Sequence, residues 1–324
     1  MEASATIIPI AAGKGGVGKS FLAANLAIAL AQQGHRTIAV DMDLGGSNLH
    51  SFLGLPNRHP GIGDYLQAKS GTLESLLVPA GIDNLAFLPG DGKTPFMANI
   101  PFAHKMKLIA HIKKLPASYI LLDLGAGSTF NTLDFFSISK KGIVVTTPEP
   151  PAIMNMLVFL KNFLLRSISR SLSRDHALSN FLRELYKRPM EGQMSSIRSL
   201  REEIAAEDPE AAKTITEVYE NCSPRIIFNL GEHPDELKVT GQISKSLETV
   251  LSLAVEYFGF IFYDPAVRQS IREQKALLPN WPECEAAENI YRIARRVDKY
   301  WGVPVPNSAA LLEETVREFY TGTH

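Results

Sequence analysis

The 324-residue sequence predicts an α/β fold, a mostly parallel, doubly wound sheet with helices on both faces. Two observations carry that expectation. Short, wholly apolar runs alternate with longer runs whose apolar residues recur at helical spacing. The short runs also lack the in-and-out alternation of a half-solvated strand, so both of their faces must be covered, as in a parallel sheet.

Taken in order, residues 6–12 read as a buried strand and residues 18–33 as a helix rich in alanine and leucine. Residues 37–41 give a second strand, and residues 84–88 a short one closed by Pro89-Gly90. Residues 102–115 carry a helical pattern stopped by Pro116. Apolar strands follow at 119–123, 142–146, 225–229 and 259–263. Right-handed crossovers place the carboxyl ends of such strands, and any ligand, on one edge. Between 151 and 222 the rhythm breaks into helical patterning without a strand, which reads as a helical insertion within a single domain of residues 1–324. Its charges segregate. Lys161, Arg166, Arg170, Arg174, Arg183, Lys187 and Arg188 crowd the first part, and Glu191, Glu202, Glu203, Glu207, Asp208, Glu210, Glu217 and Glu220 the second. Two readings fit: solvated helix faces that pair with each other, or a docking surface for a protein partner.

Composition narrows the class. Apolar residues at 45% and charged residues at 21% describe a globular chain, not a disordered one. A net charge of -1 gives no global attraction to nucleic acid or anionic membrane, so such a contact needs a local patch. Cys222 and Cys284 belong to no C-x-x-C pair, which argues against a disulfide framework and a cysteine-built metal site. The first residues lack a signal-peptide pattern, and no apolar run approaches bilayer length. The expectation is a cytoplasmic protein with no integral membrane segment.

The chemistry is concentrated in Gly13-Lys14-Gly15-Gly16-Val17-Gly18-Lys19-Ser20, which satisfies G-x-x-x-x-G-K-S between a strand and a helix. Glycines let backbone N–H groups turn in around phosphate oxygens, and the following helix points its positive end at the same anion. Lys19 is expected to bridge β- and γ-phosphates and the Ser20 hydroxyl to ligate Mg²⁺. Gly13, Gly15, Gly16, Val17, Gly18, Lys19, Ser20 and Phe21 are the nucleotide-binding candidates. Asp41 and Asp43 end the second strand near the phosphates, where carboxylates can orient water or metal, with Gly45 and Gly46 leaving that segment free to move. Asp123 ends an apolar strand in the manner of a Walker B element and is expected to hold Mg²⁺, with the Gly125 N–H close to the γ-phosphate.

Lys14, a second lysine inside the loop, makes the octapeptide resemble the deviant Walker A motif of the MinD/ParA ATPase family. The resemblance implies that Lys14 crosses a homodimer interface to the partner copy's nucleotide, that Asp43 positions the attacking water, and that Asp41 supports the metal's water shell. It also implies that Asn229 reads the adenine edge and that the strand and loop of residues 259–267 wrap the purine; a turn-forming Asn or Asp-Pro is the alternative reading. DMDLGGSNLHSFLGL and FYDPAVRQSIREQKALL resemble the MinD-like, FlhG-type regulators of flagellar number. The implied function is an ATP-hydrolysing dimeric switch in spatial positioning or assembly, with ATP and Mg²⁺ as cofactors and an unidentified protein partner. Metabolic coupling, as in iron–sulfur carriers or amidoligases with the same loop, is the alternative. The carboxyl-terminal amphipathic stretch has acidic excess (Glu313, Glu314, Glu318 against Arg317), unlike a lipid-binding helix. A DNA-binding face would fall to Arg292, Arg295, Arg296 and Lys299, for which a solvated helix face is the competing reading.

Overall fold

The computed structural model describes residues 5–67, 71–90, 100–171, 205, 208–220 and 222–323. Among these, eight strands form one sheet: β1 (Thr6–Ala11), β2 (Thr37–Met42), β3 (Val78–Pro79), β4 (Leu85–Leu88), β5 (Tyr119–Leu124), β6 (Ile143–Thr146), β7 (Arg225–Gly231) and β8 (Glu256–Phe262). Their spatial order is β3-β4-β2-β5-β1-β6-β7-β8, and every pairing is parallel except β3 with β4. The sheet is the one the sequence predicts, with a two-residue antiparallel edge added. The sequence could not show that edge, because Val78-Pro79 is too short to carry a period.

Both faces of the sheet are buried. Along β5, Ile120, Leu122 and Leu124 enter one apolar core while Tyr119 and Leu121 enter the other. The second core is covered by α1 (Lys19–Gln32), with Leu22, Leu26 and Ile28 fully buried, and by a late helix that supplies Ile290 and Ile293. Helix α1 is buried almost all round because its alanines let it lie between the sheet and that helix. The remaining α-helices among the described residues are α2 (Leu49–Phe52), α3 (Ile62–Gln67), α4 (Phe102–Ile112), α5 (Phe130–Phe136), α6 (Pro150–Ser171), α7 (Pro209–Glu220), α8 (Val239–Ser246), α9 (Pro265–Glu273), α10 (Leu277–Asn280), α11 (Glu285–Tyr300) and α12 (Ser308–Thr323).

Helix α6 corrects one expectation. It is long and apolar enough to cross a bilayer by length and composition, contrary to the reading that no run reaches that length. Its apolar face, including Met156, Phe159, Leu160 and Leu164, is instead packed fully in the first core, where the Phe136 ring meets those of Phe159 and Phe163 edge-on at 5.2 and 4.9 Å. The same packing makes α6 part of the connection that carries the chain from β6 to β7, so residues 151–171 belong to the sheet's own cover. Of the expected insertion, α7 is also described and packs on α6. Residues 172–204 lie outside the described residues, and with them Arg174, Arg183, Lys187, Arg188, Glu191, Glu202 and Glu203 of the segregated charges; Glu207 does too.

A buried carboxylate fastens three helices together. Asp134 of α5 is 1% exposed and accepts from Lys105 of α4 at 2.5 Å, and from Arg166 and Arg170 of α6 at 2.8 and 3.4 Å. Burial raises its pKa, but the hydrogen bonds from Arg166 and Lys105 outweigh that and hold the carboxyl below its ordinary value. The basic candidates on α11 are also engaged. Arg292 and Arg295 both bond Glu288, while Arg292 and Arg296 lie over the rings of Phe319 and Phe258. Glu288 thus offsets part of the positive charge on this face of α11, where Arg295 and Lys299 remain exposed.

Replacing Asp134 with alanine strands Lys105 beside two arginines in a buried site, so Asp134→Ala should lose about 3–5 kcal/mol of stability at neutral pH. Chemical denaturation read by far-UV circular dichroism checks this. Because the native carboxyl titrates below its unfolded value, the stability it contributes is present above the unfolded pKa. That contribution, and with it the difference from Asp134→Asn, should shrink as pH falls through the native pKa.

Candidate functional site

The site is built where β1 meets α1 at the carboxyl edge of the sheet. Gly16 and Gly18 take φ of 84° and 86°, a left-handed conformation that glycine adopts without steric cost. Gly13 and Gly18 are needed for space as well. A Cβ at Gly13 would run into the Asn155 carbonyl at the start of α6, and one at Gly18 into the Asn229 amide. Gly15 and Gly16 face open space, so the outer rim of the loop is all backbone.

Beneath that rim, register decides what meets what. In the parallel sheet Asp41 of β2 lies level with Asp123 of β5, and Asp123 with Ile10 of β1, so strand-end carboxylates and loop share one edge. Lys19, 7% exposed, places its ammonium 2.5 Å from Asp123 Oδ1 and 3.3 Å from Ser20 Oγ. Asp123 is fully buried and its Oδ2 has no hydrogen-bond partner. Burial pushes its pKa up while Lys19 pulls it down, with the upward effect prevailing. A divalent cation fits this donor set: an orphaned carboxylate oxygen beside a hydroxyl, under a rim of backbone that suits a polyphosphate.

Two loops face each other over the site. Asp43 lies against Gly125, where a Cβ would be 3.4 Å from the Asp43 carboxylate. Gly127 donates its N–H to Ala12 O at 2.9 Å, and the Thr132 hydroxyl donates to Gly125 O at 3.3 Å, which ties the 125–132 segment to the loop base and to α5. Between the loops is a cleft of about 130 Å³ lined by Asp43, Gly45, Gly125 and Thr132. Gly125 and Asp43 thus share the lining of one cleft.

Three residues singled out in the sequence make contacts within the chain itself. The expectation sets Asp41 near the metal's waters, but it is fully buried and both its oxygens accept backbone N–H groups, from Asp43 and Leu49, each at 3.1 Å. Burial, then the neighbouring Asp123 charge, push its pKa up to about 7 against those hydrogen bonds. It organises the 43–49 loop. Phe21 is 3% exposed with its ring in the core beneath α1, so only its backbone N–H faces the anion end of the helix. Asn229 is 3% exposed and donates to Val17 O at 2.9 Å, holding the loop from below. Asp264 caps α9, accepting from Ala266 N at 2.8 Å, which favours the Asp-Pro turn explanation for that segment. Sequence reasoning missed Asn155, whose backbone meets Gly13, and Thr132. A Thr129 cap before α5 is the local signal that could have pointed to Thr132. Cys222 and Cys284 have their thiol pKa pushed up to about 12 and about 11 by burial, and no cluster of three metal-ligating groups occurs among the described residues.

The family profile described as the CobQ/CobB/MinD/ParA nucleotide binding domain matches residues 8–278, most of the chain and every element of this site. The chain belongs to this family. ATP with Mg²⁺ is the ligand pair the family uses, and the loop, Ser20 and Asp123 fit it. The chain is 23% identical to the antiactivator FleN of Pseudomonas aeruginosa over 92% of its own length and 88% of that protein. It is 33% identical to the flagellum site-determining protein YlxH of Helicobacter pylori over 48% of its length, an alignment spanning 52% of YlxH. The fold is also that of the septum site-determining protein MinD of Pyrococcus horikoshii, solved with Mg-ADP: TM-score 0.59 and 21% identity, covering 92% of this chain and 98% of that one.

Since Gly18 carries both a left-handed φ and the Asn229 contact, Gly18→Ala should abolish nucleotide binding while the protein still folds. Titration with a fluorescent ATP analogue, beside circular dichroism, separates the two effects. Asn229→Ala relieves only the clash, so the double variant should stay defective.

Proposed function

We propose that the protein hydrolyses ATP in the cytoplasm as a nucleotide-switched homodimer that serves spatial positioning or assembly through a partner protein. The observation that carries this reading is the contrast between the loop's two lysines. Lys19 is buried against Asp123, whereas Lys14 is half-exposed and makes no ion pair or hydrogen bond through its side chain among the described residues. A cation held in the loop without a partner from its own chain suits an anion delivered from outside, and in this proposal that anion is the nucleotide of a second copy. The named roles of FleN, YlxH and MinD, an antiactivator and two site-determining proteins, support positioning over metabolic coupling.

In this reading Lys19 and the backbone of Gly13 to Ser20 hold the phosphates, and Ser20 and Asp123 hold the metal. Bound Mg²⁺ supplies neutralisation of phosphate charge. Asp43 accepts a hydrogen bond from the attacking water and aligns it, which requires the carboxylate to stay beside Gly125. For Lys19 to reach phosphate its buried ammonium must leave Asp123, and the freed carboxylate would then hold the metal together with Ser20.

Size measurement by light scattering tests the switch. With ATP and Mg²⁺, Asp43→Ala should form a stable dimer and lose about 10²-fold or more of its turnover. Lys14→Ala should bind ATP but remain monomeric. An Asp43→Ala chain that stays monomeric at saturating ATP sinks the dimer reading.

A further inference from the structure

At the opposite end of the sheet from the nucleotide loop, the amino ends of β1, β2 and β5 and the carboxyl end of α4 enclose a cleft of about 600 Å³. Arg36, Lys113 and Lys114 stand on its walls, all exposed. None of the three forms an ion pair or hydrogen bond through its side chain among the described residues. Several cations elsewhere are matched, Arg225 with Glu256, Arg295 with Glu288, and Arg317 with Glu313 and Asp235, and unmatched ones such as Lys14 do not join these three on the concavity. No carboxylate lines this cleft among the described residues. Asp298, which reaches its edge, is taken up by His35 at 2.9 Å and the Tyr119 hydroxyl at 3.2 Å.

Lysines at a helix carboxyl end complement the helix dipole, and that alone explains Lys113 and Lys114. It does not explain Arg36, which comes from another element, or the convergence of all three on one concavity. Three like charges around a shared space repel one another, and a multivalent anion would remove that cost. The cleft's volume lies within the range of small-ligand sites. Its large apolar lining residues, Leu115 and Tyr119, are buried, so it offers charge and the hydroxyls of Thr6 and Ser118 instead of a seat for a base or an acyl chain. A membrane contact would need exposed apolar anchors there.

We propose that this cleft is a second anion site, separate from the nucleotide loop, that takes a small oligophosphate.

The test is calorimetric titration of the full chain with inorganic triphosphate, the nucleotide loop being saturated with MgADP, and repeated on Lys19→Ala so that the result does not depend on that loop. One site should be seen in both. Its affinity should fall about tenfold or more in Lys113→Gln/Lys114→Gln and in Arg36→Gln, and should weaken as salt rises. All three positions are exposed, and circular dichroism checks that the variants fold. Absence of binding, or equal binding by the variants, overturns the proposal. So does a result in which only a short DNA duplex or anionic phospholipid vesicles bind in a charge-dependent way, since these cations would then serve a macromolecular surface.

Discussion

The buried ion pair of Lys19 and Asp123 is the interaction on which the site turns. Each group alone would be an uncompensated charge in a dry place, costing several kcal/mol. Together they are tolerated only because parallel pairing of β1 with β5 brings a strand-end carboxylate to the first residue of α1. The balance is local and incomplete, since Asp123 keeps one oxygen without a partner. A site arranged this way accepts a polyanion and a cation as a matched set more readily than either separately, because each partner needs a new counter-charge once the pair opens.

Around that pair, the fold supplies rigidity from three directions. Asn229 holds the loop at Val17, Asn155 closes against Gly13, and Gly127 ties the facing loop to Ala12. These contacts come from β7, α6 and the end of β5, distant in sequence and adjacent only through the strand order. The phosphate edge is therefore as stiff as the sheet beneath it. The 43–49 loop is held in turn by Asp41, whose carboxylate accepts from Asp43 and Leu49.

Much of this was legible in the sequence. The strand positions, the loop and the carboxylates at strand ends follow from local pattern, because a buried parallel strand must be apolar throughout and a phosphate loop must be glycine-rich. What escaped was set by distant partners. Asp41 and Asp43 stand at the same strand end, and the sequence does not show that one is fully buried and hydrogen-bonded to backbone while the other faces Gly125. The Asn229 hydrogen bond to Val17 O depends on β7 ending beneath the loop, which no local pattern shows. Helix α6 lacks a transparent apolar run because lysine and arginine interrupt it, and only packing shows that Arg166 and Arg170 serve Asp134. The arginines of α11 likewise find Glu288 only once the helix is folded.

The placement of Asp41 has a consequence for how the loop after β2 moves. Its two oxygens accept the N–H groups of Asp43 and Leu49, so that carboxylate acts as a clasp on both ends of the segment that carries Asp43. Glycines 45 and 46 make the segment pliable, but the clasp fixes where its ends stand. Asp43 is itself one of the two pinned ends, so any shift of this loop falls on the stretch from Leu44 to Asn48 while the Asp43 backbone stays where a fully buried neighbour holds it.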